Sequence, residues 1–239
     1  MITFSKTMTP LDYGESGMGL WVYAFDAAVE ARAIPYMPNP HIHRRWEYGM
    51  AMEFLKFLGG TEQVKTVLDV GGAGSLFAPI AMTMGYHVTV VDPDPCVYMM
   101  AGQIRSGGGS GVAICASFED WGTSQENGVH SVEVFDAVVS LSTVEHIEND
   151  VAFVEKLARH AERGLFLTTD FSLDGLAHQP GHLRTYTPKT MQNKLAAAVP
   201  SGWEYAGEPD WSDRGNFVFD YSFASLGMVA NASLGMVAK

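Results

Sequence analysis

The chain has 239 residues, 47% of them hydrophobic, which suffices to bury the core of one larger α/β domain. Its 27 acidic and 15 basic residues give a formal charge of −12, so no cationic surplus is left to neutralise nucleic-acid phosphates or an anionic membrane surface. Two cysteines, Cys96 and Cys115, are too few for a disulfide framework or a zinc site and read as free thiols in apolar surroundings.

The start, MITFSKTMTPLDYG, lacks the apolar core of a signal peptide, and no apolar run is long enough to span a bilayer; a cytoplasmic protein is expected. Apolar residues recur at helical spacing from Trp21 to Arg32 and again from Arg44 to Leu58, the second run ending at Gly59-Gly60 in the manner of a C-cap. The basic cluster at the second helix, His41, His43, Arg44 and Arg45, is too short to be an electrostatic footprint. Strands and helices then alternate: KTVLDV, a helix from about Leu76 to Met84, HVTVVD, a helix from about Pro95, GVAICA, FDAVVSL, a helix from about Asn149 to His160, and GLFLTTD. Such alternation predicts a parallel sheet covered on both faces, with right-handed crossovers.

After Asp170 the alternation stops. A loop leads to TPKTMQNKLAAAV, where Thr187 is a plausible N-cap and Pro188 the first helical residue. WEYAG and FVFDYSFASL read as a closing hairpin. The terminus repeats ASLGMVA across Asn231, a pair too short to be a solenoid. The expected organisation is one domain, 1–239: a helical cap over 1–60, a Rossmann-like core over 61–230 and a repeated tail over 231–239.

One turn is shaped for a ligand. In VLDVGGAGSLF, glycines follow a buried-type strand and precede a helix, so backbone can approach a guest and the helix start offers N–H groups. The strand carries Asp69, which would repel a pyrophosphate but suits an ammonium or a ribose hydroxyl. Asp92 ends the next strand about twenty residues beyond the glycines, where a carboxylate accepts ribose hydroxyls. Alone, Asp92 fits a nicotinamide dinucleotide equally; together, the two acids favour a cationic nucleoside.

VLDVGGAGS, VTVVDPD, ASFEDW and FDAVVSLSTVEHI, in that order, resemble the motif series of the class I S-adenosylmethionine-dependent methyltransferases, over roughly Val67 to Asp170. RRWEYGMAMEFL, SLSTVEHI and HLRTYTP are similar to a subgroup acting on small molecules and sugars. The resemblance implies a doubly wound, Rossmann-like α/β sheet of seven strands, mostly parallel, with an antiparallel C-terminal hairpin. It implies S-adenosyl-L-methionine as cofactor, with Asp69, Gly71, Gly72 and Ala73 beside its methionine part and Asp92 at its ribose. Phe118 and Glu119 or Asp120 would approach the adenine, Ser140 and Leu141 would close the pocket beneath the sulfonium, and Arg45 or Tyr48 would meet the carboxylate. Ala73 and Ser75 stand where the family has glycines.

Methyl transfer needs a base when the acceptor holds its proton at neutral pH. His146, with Glu145 beside it, follows the fourth long strand at the carboxyl edge where such sheets bind ligands, and is the candidate base; capping the next helix is its bland alternative. Asp170, His182, Arg184 and Tyr186 are candidate acceptor contacts, set against a turn cap for Asp170 and a solvated loop for the rest. Glu145, His146, Asp170 and His182 have metal-ligand chemistry, yet their spacing does not demand an ion and none is assigned. The expectation is methylation at oxygen of a small molecule or sugar, with no nucleic-acid or membrane partner and the oligomeric state open. A non-catalytic protein of the same fold, or an NAD-dependent oxidoreductase, is the competing reading.

Overall fold

A computed structural model describes residues 3–9, 12, 25–26, 42–106, 110–121, 125–126, 129–130, 132–175, 181–212 and 222–231. The expected helix from Trp21 to Arg32 lies outside them, apart from Phe25 and Asp26, as does the second ASLGMVA copy. Among the described residues, helix α1 (Ile42–Phe57) is the first long element. It ends where Gly59 takes a φ of 108°, as the paired glycines led one to expect. There follow β1 (Thr66–Val70), α2 (Phe77–Thr83), β2 (His87–Asp92), α3 (Val97–Ser106), β3 (Gly111–Cys115), β4 (Phe135–Leu141), α4 (Asp150–His160) and β5 (Ala161–Phe171). After β5 come a helical segment from Pro188 to Ala196, then β6 (Trp203–Tyr205) and β7 (Ser222–Ala230).

The sheet runs β3-β2-β1-β4-β5-β7-β6. The first five strands are parallel neighbours, and β7 is inserted antiparallel between β5 and β6. This is the doubly wound seven-stranded sheet expected. Strand order reverses between β1 and β4, so the carboxyl ends of these two strands open the crevice at which ligands of such sheets bind.

Alternation along each strand assigns its residues to opposite faces. Val67, Val88, Ala137 and Phe166 pack with Trp46, Met50 and Phe54 of α1 and with Phe77 and Ile80 of α2. Leu68, Val91, Val138 and Leu165 pack on the other side with Phe153 and Leu157 of α4 and with Met191 and Leu195. The strands read as continuous apolar runs because both faces are covered.

One expectation changes. Cys96 is exposed rather than in apolar surroundings, and both cysteines are free. The first repeat copy, Ala224–Ala230, forms most of β7, paired on both sides. The helix after Thr187 opens with a capping box and then widens into a π-helix over Met191–Ala196.

The segment from 181 to 194 is clamped to α4 by one buried acid. Asp150 accepts from the Tyr186 hydroxyl at 2.7 Å and pairs with Arg184 at 2.6 Å and Lys194 at 2.7 Å. Replacing Asp150 by Ala leaves the buried Tyr186 hydroxyl without an acceptor, while the half-exposed cations rehydrate. The expected loss is about 2 kcal/mol, read as a lower urea midpoint at unchanged m-value.

Candidate functional site

The crevice holds a pocket of about 240 Å³ built from three pieces of chain. Helix α1 supplies Arg44 and Tyr48, the β1 end and its loop supply Asp69 and residues 71–75, and the β4 end supplies Leu141 and Ser142. The glycines are required by contact as well as by conformation. Gly71 has a φ of 79°, and a Cβ on it would lie 2.2 Å from Thr143 Oγ1. A Cβ on Gly72 would lie 2.3 Å from Asp69 Oδ2. Ala73, where the family has glycine, lies in the pocket wall and its N–H donates to Asp92 Oδ2 at 2.9 Å.

Asp69 is 1% exposed and its Oδ2 has no hydrogen-bond partner. Burial, and then the nearby Asp92 charge, push its carboxyl up to about 8. Asp92 also accepts from the Asp94 N–H at 2.7 Å, so it organises both the glycine loop and its own turn.

A second acidic residue shapes the pocket from α1. Glu47, fully buried, accepts from Arg44 Nη1 at 3.1 Å, from Ser142 Oγ at 2.5 Å and from Thr168 Oγ1. It therefore aims Arg44 and fastens α1 to the ends of β4 and β5. Ser142 has a φ of 45°, the one described non-glycine residue in the left-handed region. A strained residue held by hydrogen bonds at a pocket wall is a mark of a working site.

Beside the pocket lies a cluster formed after β4 and β5. Glu145 and His146 sit on the short 3₁₀ turn Val144–His146, and His182 is laid over that turn by the Leu183 N–H bond to the Glu145 carbonyl at 3.0 Å. The rings of His146 and His182 are 4.3 Å apart, and His182 Nδ1 hydrogen-bonds Asp170 Oδ2. Glu145 Oε2 accepts from Thr169 Oγ1 at 3.1 Å while its buried Oε1 has no partner. Burial, then Asp170, push the Glu145 carboxyl up to about 8. Asp170 is raised by burial against the pull of His182, and His146 is lowered by burial and by His182. Arg44 acts electrostatically on Asp170 and His146, joining cluster to pocket.

The structure thus brings together Asp69, Gly71, Gly72, Ala73 and Tyr48 in the pocket, and Glu145, His146, Asp170 and His182 in the cluster. Other candidates stand apart. Arg45 does not line the pocket; Arg44 does. Ser140 is buried and donates to the Val70 carbonyl at 3.0 Å, tying β4 to β1. Phe118 packs against Phe153 and Trp121, and Glu119 is exposed, its carbonyl accepting from Lys156 at 2.9 Å. Arg184 and Tyr186 are engaged with Asp150. Sequence reasoning missed Arg44, Glu47 and Ser142; Tyr48 pairs as well with Arg44, four residues back, as with Arg45, three back, so spacing does not choose between them.

Residues 41–210 match a family profile described as a methyltransferase domain. No curated protein matches the chain. Among solved structures, EvdMO1 matches with a TM-score of 0.54 at 15% identity over 92% of this chain, which spans 50% of that longer one. Its N-terminal domain with SAH bound gives 0.52 at 14% identity, covering 91% of this chain and 98% of that one. A structure of that domain also exists in the presence of SAH and D-fucose. Magnesium protoporphyrin IX methyltransferase (ChlM) from Synechocystis PCC 6803 with bound SAM gives 0.50 at 17% identity, covering 90% and 97%. At these identities the likeness is one of fold.

The buried acids set a pH dependence of stability. Asp69 and Glu145 hold their protons up to about pH 8 in the folded chain, against ordinary values of 3.8 and 4.5. A raised folded-state value stabilises at low pH and loses that contribution as pH climbs through the window, by about 1.4 kcal/mol per pH unit per group. The ligand-free melting temperature is therefore expected to fall between pH 5 and 8, and Asp69→Asn to flatten the fall. A slope identical in the variant would show that Asp69 is ionised in the fold.

Proposed function

The chain belongs to the methyltransferase-domain family, and from that premise we propose that it moves a methyl group from S-adenosyl-L-methionine to a hydroxyl oxygen of a small molecule or sugar. The observation that carries the reading is the buried, unpartnered Asp69 oxygen at the foot of a glycine-walled pocket. A carboxylate in such a place is costly unless a cation joins it, and the α-ammonium of the cofactor is that cation. A dinucleotide would bring a pyrophosphate to the same acid. The residues fit the proposed cofactor elsewhere too: Arg44, aimed by Glu47, suits its carboxylate, and Asp92 its ribose hydroxyls.

The bound cofactor supplies an electrophilic methyl on a sulfonium, so the protein's task is alignment and, for a hydroxyl acceptor, removal of one proton. Gly71 and Gly72 let the loop pack against Thr143 and Asp69, where a Cβ would clash, and so hold the backbone in the shape that walls the pocket. His146, exposed and with its basicity lowered, is a neutral imidazole at pH 7 and can take the acceptor proton at a ring nitrogen. His182, held by Asp170, flanks the same acceptor space. The exposed face of the cluster and its mixture of acids and imidazoles favour a polar acceptor, and the likeness to a domain studied with D-fucose supports a sugar within that class.

Calorimetric titration with S-adenosylmethionine, S-adenosylhomocysteine and NAD in parallel tests the reading. The first two should bind saturably, and at pH 7 binding should release a proton as Asp69 ionises beside the ammonium, so affinity rises toward pH 8. Asp92→Ala should weaken binding by about 1–3 kcal/mol, which includes the loosened glycine loop. Binding of NAD alone would replace the proposal with the oxidoreductase.

With an acceptor in hand, His146→Ala should lower turnover of the metal-free protein while sparing cofactor affinity. Full activity across neutral pH would dismiss His146 as the base.

A further inference from the structure

Three side chains beside the pocket share one pattern: each has an atom anchored to protein and a ligating atom left over. Glu145 has Oε2 on the Thr169 hydroxyl and Oε1 buried with no partner. His182 has Nδ1 on Asp170, which leaves Nε2. His146 hydrogen-bonds the Gly181 backbone through its ring, which leaves its other nitrogen. One candidate ligand atom from each lies within 4.8 Å of the other two.

Hydrogen bonds of this kind are what orient metal ligands. A histidine whose far nitrogen donates to a carboxylate has its tautomer and ring plane fixed and its near nitrogen made more basic. The Asp170–His182 pair has that form. Glu145 adds a carboxyl whose proton an ion can displace and which has no cation at contact distance, since Arg44 is paired with Glu47 and His182 with Asp170.

We propose that Glu145, His146 and His182 bind a divalent first-row transition-metal ion, with Asp170 as the orienting partner of His182. Two imidazoles and one carboxylate suit zinc, iron, cobalt or nickel, whereas magnesium and calcium prefer an all-oxygen shell. Bonds of about 2.1 Å put neighbouring ligand atoms about 3.0–3.4 Å apart, so binding an ion draws the three side chains together from their present span of up to 4.8 Å. Three protein ligands leave coordination positions open toward the exposed side, where His146 lies.

The site stands on these side chains alone, while its part in the reaction rests on the methyl-transfer reading. Ser142, three residues before Glu145, lines the pocket, so the ion borders the acceptor space. In the loaded protein His146 would be a ligand rather than the base; an acceptor hydroxyl at an open position would be acidified by the ion and lose its proton to solvent on the exposed side, while its oxygen takes the methyl and S-adenosylhomocysteine leaves. An acceptor with two adjacent oxygens, such as a vicinal diol, fits the open positions best.

The test uses the full untagged chain, stripped with chelator, titrated with Co²⁺ and followed by calorimetry and visible absorption, with S-adenosylhomocysteine titrated in parallel. Expected are one Co²⁺ per chain, displacement by Zn²⁺ and none by millimolar Mg²⁺. His182→Ala and Glu145→Gln should weaken Co²⁺ at least tenfold, and Asp170→Asn about 10–100-fold. His146→Gln alters an exposed side chain and guards against a variant that fails to fold; it should weaken Co²⁺ at least tenfold at unchanged S-adenosylhomocysteine affinity. Absence of stoichiometric Co²⁺ binding, or equal binding in all variants, overturns the site. Co²⁺ binding without S-adenosylhomocysteine binding keeps the site and removes the methyl-transfer reading; the reverse removes the site alone.

Discussion

Carboxylates buried at the carboxyl edge of the parallel sheet are the constraint around which this protein is arranged. Glu47, Asp69, Glu145 and Asp170 are each at most 1% exposed. Ionised groups in that setting are costly unless something pairs with them, and the chain answers differently for each. Glu47 is surrounded by Arg44, Ser142 and Thr168; Asp170 takes His182; Asp69 and Glu145 each keep one oxygen without a partner. The first two acids are structural and set the positions of others. The last two hold protons that a cation can displace, and Asp69 lines the pocket.

This division explains why α1 belongs to the site as well as to the core. Its apolar face, Trp46, Met50 and Phe54, packs on the sheet and fixes the helix axis. Arg44, Glu47 and Tyr48 fall on one side of the same helix at spacings of three and four residues, and that side faces the strand ends. Glu47 locks the register by bonding to Thr168 of β5 and to Ser142 just past β4, so Arg44 is held over the pocket without a loop to position it.

The alternation of strands and helices and the glycine turn were legible because they follow from local signals: Val-rich runs, glycines after a strand, and an acid where apolar residues were expected. Asp69 was the clearest case, since its cost is visible in sequence. The cluster was legible only as a set of residue types. Glu145 and His146 are adjacent in the chain, but Asp170 and His182 reach them through the pairing of β4 with β5 and the fold-back of residues 181–186, contacts that local pattern does not carry. Arg184 and Tyr186 alternate in a way that suggests a binding loop; their partner, Asp150, lies 34 and 36 residues earlier. Arg44 was passed over for Arg45 because helical spacing joins either to Tyr48.

The repeat shows the limit from the other side. ASLGMVA reads as an idle duplication, and as sequence its two copies are equivalent. In the fold the first copy is bonded along both edges, to β5 and to β6. Gly227 lies so close to Phe4 that a Cβ would approach it to 2.5 Å. Strand identity here is set by connection length and by neighbours already in place, quantities a seven-residue pattern does not contain. The same holds for the cluster, whose chemistry depends on which strand ends the fold makes adjacent.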